Sequence, residues 1–365
     1  MEATQSGARR SNNTKSKPFM IDGVRIPLGV TRDLNLKFSE TYLGIPVSIP
    51  VRVIRSRNAG PCVFLTGSIH GDELNGMGII RELLYDQPPP LIRGTLVCIP
   101  VVNLYGLEHN KRYMPDRRDL NRCFPGLESG SPTSRLAYAL FHEIVKQCDY
   151  GIDFHSAALR RTNYPNVRGS LSNSKVRSLA QAFGAELLLD SKGPEGSLRR
   201  TAVRSGVPTI VVEAGEVWKI EPGVVDFGIR GCLNVLKWLE MIPGKPEKPL
   251  FQVNLKKTTW VRADRGGILG FHARPGELVE EGAVIATNYN IFGKEHRTLH
   301  APASGIVLGM TTMPAVKPGE PVYHLAQLSR RSFHRIAAIM NSTSTEDLYS
   351  RIQNDLATNI TIQER

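Results

Sequence analysis

Apolar residues along this chain come in short blocks of two kinds. PCVFLTGS (61–68), GTLVCIPVVN (94–103), YGIDFH (150–155), AELLLD (185–190) and PTIVVEAGE (208–216) are compact runs rich in Val, Ile and Leu. Runs of this kind predict strands, with 61–68 and 94–103 read as buried ones. Between them the apolar positions recur at helical spacing. Met77, Ile80, Leu83 and Leu84 share one face of a helix at 76–85, and Pro88, Pro89 and Pro90 break the chain behind it. SPTSRLAYALFHEIVKQC (131–148) carries a Ser or Thr start signal, KVRSLAQAFG (175–184) stops at a glycine, and a further helix is expected over 227–241. Strands alternating with helices predict an α/β fold around a mixed, largely parallel sheet.

The pattern changes at IPGKPEKP (242–249), which reads as a linker. Beyond it, short apolar segments are punctuated by Gly and Pro every eight to twelve residues, which predicts a small all-β domain. Arg274-Pro-Gly-Glu and Lys317-Pro-Gly-Glu, each followed by an apolar strand, form a weak internal repeat. The organisation expected is therefore a disordered basic tail (1–20), a catalytic α/β domain (21–242), a β domain (250–328) and an extension (329–365) with a helix in STEDLYSRIQNDL (344–356).

Composition narrows the function. The 365 residues are 41% hydrophobic and 22% charged, enough apolar surface for a sizeable core, and no apolar run approaches the about 20 residues a bilayer span needs. The first residues are polar and basic without an apolar stretch, so no secretory signal is expected. Five cysteines, an odd number with no CxxC pair, argue against a disulfide framework and for a reducing cytoplasm. A net charge of +12 favours anionic partners. The arginines are scattered without a basic stripe or nucleic-acid module, so a small anionic substrate is expected and nucleic acid is not. Self-association into a homo-oligomer stays open.

The chemistry concentrates at strand ends, where open α/β sheets bind ligands. His70 and Glu73 follow the first buried strand in GSIHGDELNG, and His155 ends YGIDFH. Two imidazoles and one carboxylate make a three-ligand zinc site with a position left for water, whose pKa zinc lowers from 15.7 to about 7. H-x-x-E alone is weak: His70 read singly is a loop histidine, Glu73 is a first-turn acid on a helix dipole, and Asp72 competes with it. Glu213 in VVEAGE is a strand-end carboxylate able to move a proton from water to a leaving amine, with Glu216 as the competing residue.

GSIHGDE, KRYMPDRRDLNRCFPG, DFHSA and VVEAGE stand in the order G-x-x-H-G-x-E, R-x-x-x-D-x-N-R, D-x-H and strand-end Glu. This arrangement, over about 44–240, resembles the succinylglutamate desuccinylase/aspartoacylase family, related to the zinc carboxypeptidases. The resemblance implies a zinc carboxypeptidase-like sheet flanked by helices, one Zn2+ per chain on His70, Glu73 and His155, and Glu213 as general base and acid. Arg112 would polarise the scissile carbonyl, while Asn121 and Arg122 would grip the substrate carboxylate. Asp119 would orient this loop, with Arg117 and Arg118 solvated. Arg161, Asn163 and Arg168 resemble a second basic loop reaching a distal acyl or carboxylate group. The C-terminal segment resembles a barrel-sandwich module that narrows the cleft; Tyr289, His296 and Tyr323 are its candidates for touching substrate. The expected activity is zinc-dependent hydrolysis of a small N-acyl amino acid. The alternatives are a carboxypeptidase-like hydrolase of short peptides and a zinc-binding scaffold without turnover.

Overall fold

The computed structural model describes residues 18–85 and 88–342. The expected tail lies outside these residues up to 17, and so does the helix expected at 344–356. Phe19, assigned to the tail, instead opens a hairpin of β1 (Phe19–Ile21) and β2 (Val24–Ile26).

The sheet is mixed, with a parallel centre. β5 (Cys62–Thr66) lies between β6 (Thr95–Ile99) and β7 (Tyr150–His155), and β10 (Thr209–Gly215) follows β7, all parallel. These are among the blocks read as strands, and β5 and β6, the two read as buried, are buried at every position. Antiparallel strands extend the sheet on both sides. On one side, β3 (Thr31–Glu40) and β4 (Pro46–Arg55) join through β6; on the other, β8 (Arg161–Gly169) pairs with β10. β9 (Leu187–Asp190) runs parallel to β8.

Helices cover both faces. α1 (Asn75–Leu84), α4 (Ser174–Phe183) and α6 (Pro222–Trp238) bury Ile80, Leu179, Val224 and their neighbours on one side. α3 (Pro132–Glu143) and α5 (Leu198–Arg204) pack Leu136, Leu140 and Leu198 on the other, and α2 (Leu104–Glu108) is a short turn after β6. The local signals are used as written: Ser131 caps α3, and Gly184 ends α4 at φ +87°, a left-handed conformation that glycine adopts freely.

The C-terminal segment does not hang from the sheet by its linker alone. β11 (Val253–Leu255) pairs with β9, and β12 (Thr258–Arg262) leads into a second layer. That layer holds β13 (Gly267–Phe271), β15 (Val284–Tyr289), β16 (Glu295–His300) and the short β18 (Ala315–Val316). β14 (Leu278–Val279), β17 (Gly305–Thr311) and β19 (Pro321–Gln327) remain with the main sheet, because β17 pairs antiparallel with β8. The internal repeat is one turn used twice. In each copy the residue before Pro donates its N–H to the Glu carboxylate three residues on (Arg274 to Glu277, 3.0 Å; Lys317 to Glu320, 2.8 Å), around a glycine at positive φ. α7 (Arg330–Ser342) follows, unforeseen in the sequence, with Phe333 and Ile336 buried. No helix among the described residues is long and apolar enough to cross a membrane.

Candidate active site

β5, β7 and β10 end side by side, and each delivers one element of the site. After β5 the chain turns through Ser68, at φ +48°, into the His70–Glu73 segment, and Ser68 Oγ donates to the Glu73 carbonyl (2.9 Å). The motif glycine Gly71 is required by contact: a Cβ there would sit 2.0 Å from the Gly106 backbone. Asn75 ties this segment to the end of β10. Its amide donates to Glu221 Oε2 (2.8 Å) and accepts the Glu221 N–H (2.8 Å). Parallel register places His155 on β7 beside Glu213 on β10.

His70, Glu73 and His155 are buried, and donor atoms from the three lie within 4.8 Å of one another. His70 Nδ1 is 2.6 Å from Glu73 Oε1, and His155 Nδ1 is 2.8 Å from Glu73 Oε2. The far nitrogens are held too: His70 Nε2 by Asp119 (3.1 Å) and His155 Nε2 by Asp153 (2.9 Å). An imidazole oriented by an outer carboxylate is the usual setting of a metal-ligating histidine, and two imidazoles with one carboxylate suit Zn2+. Burial alone would lower both histidines. The facing carboxylates outweigh it and hold His70 above, and His155 well above, the ordinary imidazole range. The same contacts drive Glu73 far below the usual carboxylate range in spite of its burial. So dense a carboxylate cluster demands positive charge in its midst. Asp72, the competing ligand, stands outside the group.

The ten residues named from the motifs and the basic loop for metal, catalysis and substrate all line one cavity of about 340 Å3. Arg112 reaches Glu73 Oε1 through Nη1 and Asp119 Oδ2 through Nη2, both at 3.1 Å. Asp119 also accepts the Asn121 N–H (2.9 Å), so it does organise the loop; Arg117 and Arg118 are exposed. Asn121 has a second task that no motif announced. Ser197 makes no side-chain cap on α5, and Asn121 Oδ1 accepts the Leu198 N–H instead (2.8 Å). Arg122 is half exposed at the mouth and donates to the Asn121 carbonyl (2.7 Å).

The expected second basic loop is a correction: Arg161, Asn163 and Arg168 lie on β8, a strand of the main sheet. Its buried run, Thr162 to Val167, has only Tyr164, Pro165 and Val167 as apolar members, and the polar and basic residues among and around them masked the strand in the sequence. Asn163 donates to Glu213 Oε2 (3.0 Å), and Arg168 Nη1 is 3.4 Å from Glu213 Oε1. Glu216 faces elsewhere, paired with Lys219 and Thr312, and does not line the cavity.

Among the lining residues that sequence reasoning missed, Arg199, Trp260 and His324 bear most on the chemistry. Arg199, at the start of α5, is 6% exposed, and among the described residues its Nε and Nη1 have no hydrogen-bond partner. Burial and the neighbouring Arg168 pull its pKa down to about 10. Trp260 and His324 close the cavity from the C-terminal segment, their rings stacked at 4.3 Å with the Arg161 guanidinium 5.0 Å from the Trp260 centroid. The tyrosines expected there are elsewhere. Tyr323 is fully buried, its one hydroxyl proton shared between the Ala273 and Ile285 carbonyls at 2.9 Å each, and Tyr289 does not line the cavity. The His296 side chain is outside what is described.

Comparison with known proteins agrees with this geometry. The profile of the succinylglutamate desuccinylase/aspartoacylase catalytic domain matches residues 59–239. The N-alpha-acetyl-L-2,4-diaminobutyric acid deacetylase of Halomonas elongata is 25% identical over 296 residues, 77% of this chain and 86% of its own. A succinylglutamate desuccinylase/aspartoacylase structure from Rhodobacter sphaeroides superposes with a TM-score of 0.72 at 25% identity, covering 84% of this chain and 98% of its own. The product-bound ectoine utilization protein EutE from Ruegeria pomeroyi shares the fold, with a TM-score of 0.73 at 24% identity over 83% of this chain and 97% of its own. Fold and site thus define a hydrolase of the deacylase class. The chain belongs to the succinylglutamate desuccinylase/aspartoacylase family.

Proposed function

We propose that this chain is a zinc-dependent deacylase that hydrolyses the amide bond of a small N-acyl amino acid carrying a second anionic group. The observation that carries the reading is the single cavity. The buried His-Glu-His cluster, Glu213 and the unpaired Arg199 all border about 340 Å3, room for a small molecule.

His70, Glu73 and His155 would hold the ion, which supplies Lewis-acid polarisation and a water of lowered pKa. Glu213, held at both oxygens by Asn163 and Arg168, takes a proton from the attacking water and delivers it to the amide nitrogen. Arg112, beside Glu73, steadies the negative charge growing on the carbonyl oxygen. Arg122 and Asn121 grip the carboxylate next to the scissile amide. Arg199 and Arg161 receive the second anion: a buried guanidinium with two nitrogens lacking partners among the described residues is costly unless a ligand satisfies it. Trp260 and His324 bound the cavity, which disfavours long peptides.

The test is a panel of N-acyl amino acids, assayed by amine release on the zinc-supplemented protein. Acetyl and succinyl groups should be crossed with acidic, neutral and basic side chains. Substrates with two or more carboxylates should lead, whereas fastest turnover of the diaminobutyrate derivative named for the Halomonas relative would refute the second-anion part.

A further inference from the structure

We propose that Cys62 and Cys148 are the site of a reversible intrachain disulfide that fastens together the two strands leading to the metal-site histidines. Cys62 opens β5 and Cys148 lies two residues before β7. Their Sγ atoms are 3.2 Å apart. Asp149, next to Cys148, holds them there through a pair of hydrogen bonds to the Cys62 backbone. The Cys62 N–H donates to Asp149 Oδ2, and the Asp149 N–H donates to the Cys62 carbonyl, both at 2.8 Å. Two sulfurs fixed in this way react at a high effective concentration. A covalent S–S bond is about 2.05 Å, so closing the gap asks for side-chain rotation and no change in strand pairing.

The pair is buried without being sealed. Cys148 borders a surface cleft of about 390 Å3 with Pro61 and Tyr150, which gives a small oxidant an approach. Hydrogen peroxide supplies the balance. One sulfur, as thiolate, attacks a peroxide oxygen and becomes a sulfenic acid, releasing hydroxide, which takes up the thiol proton as water. The second sulfur then attacks the first, forms the S–S bond, and its proton leaves with the displaced hydroxyl as a second water. Two thiols and one peroxide thus give one disulfide and two waters, and a small dithiol returns the two electrons. Burial and the adjoining sulfur push the Cys148 thiol well above its usual range, so the reaction is slow in both directions.

The bond would bridge positions 86 residues apart, a long loop for the unfolded chain to lose. It sits at the starts of β5 and β7, whereas His155 ends β7 and His70 follows the far end of β5, so it acts on stability and not on site geometry.

The experiment treats the full-length protein with hydrogen peroxide, unfolds it, and alkylates the remaining thiols. Alkylatable cysteines should fall from five to three, with a cross-linked peptide joining Cys62 to Cys148 and dithiothreitol restoring five. The oxidised protein should melt about 5 °C or more higher. Cys148→Ser should lose both effects, and peptide mapping of the wild type decides the matter if that variant folds poorly. Five intact thiols, or oxidation confined to the more exposed Cys123, would overturn the proposal, as would a cross-link that leaves the melting temperature unchanged.

Discussion

Arg168 on β8 and Glu213 on β10 are diagonal neighbours across the antiparallel pair, with Nη1 3.4 Å from Oε1. With Asn163 on Oε2, both carboxylate oxygens are held from one strand, leaving Glu213 directed by β8 instead of by solvent. Glu213→Gln keeps the Asn163 side of this grip and removes the basicity. Turnover should fall about 10²–10⁴-fold with metal content and melting temperature little changed. A near wild-type rate would remove Glu213 from the chemistry, and Glu216, outside the cavity, would not replace it.

Metal analysis should find close to one equivalent of zinc per chain, and His155→Ala should lose most of it. Asp153→Asn is the finer test, since Asp153 meets the metal cluster at the far nitrogen of His155, with its other oxygen on Thr66, and leaves the three donors in place. Chelator competition should register about 10–100-fold weaker binding. Full occupancy in His155→Ala would sink the ligand assignment.

Arg122→Lys keeps the charge but loses the planar two-point grip. For a substrate with a free carboxylate beside the amide, kcat/KM should drop about 10–100-fold. The corresponding amidated substrate should lose much less. Equal fractional losses on both would mean that Arg122 only supports its loop.

Arg199→Met should separate stability from specificity. Removing a buried guanidinium with unsatisfied nitrogens should raise the melting temperature. The same variant should lose about tenfold or more in kcat/KM on doubly anionic substrates and little on singly anionic ones. Uniform losses across the panel would refute the second-anion reading.

His324 carries a pH signature. Burial, with Arg168 and Arg161 nearby, lowers its pKa from 6.5 to about 4. The unfolded chain therefore binds a proton that the folded chain refuses between these values, and stability declines as pH falls through that window, by about 1.4 kcal/mol per unit at most. Urea midpoints at several pH values should show a shallower decline in His324→Asn; parallel curves would contradict the assignment.

How legible was all this? The parallel centre was, because β5, β6, β7 and β10 are doubly buried and their apolar blocks admit no other period. The strand-end residues were legible for the same reason, since β5, β7 and β10 carry His70, His155 and Glu213 to one edge. β8 was not, because its outer residues, Arg161 and Arg168, serve the cavity and not the core, which erases the apolar signature of a strand. Arg199 was hidden in a run of arginines where only burial distinguishes it from Arg200 and Arg204. Trp260 and His324 sit more than a hundred residues from the second histidine, and only the β17–β8 pairing brings their strands to the site.

That pairing makes the C-terminal segment a mechanical partner of the proposed chemistry. Gly309 stands opposite Asn163, and a methyl group there would meet Asn163 Oδ1 at 2.6 Å. Through Asn163 the displacement would reach the Glu213 carboxylate. A backbone register, distant in the chain from every strand-end motif, thus aligns the carboxylate proposed to carry the proton. Transplanting the catalytic segment of a relative onto this chain should preserve activity only when the strand containing Gly309 travels with it.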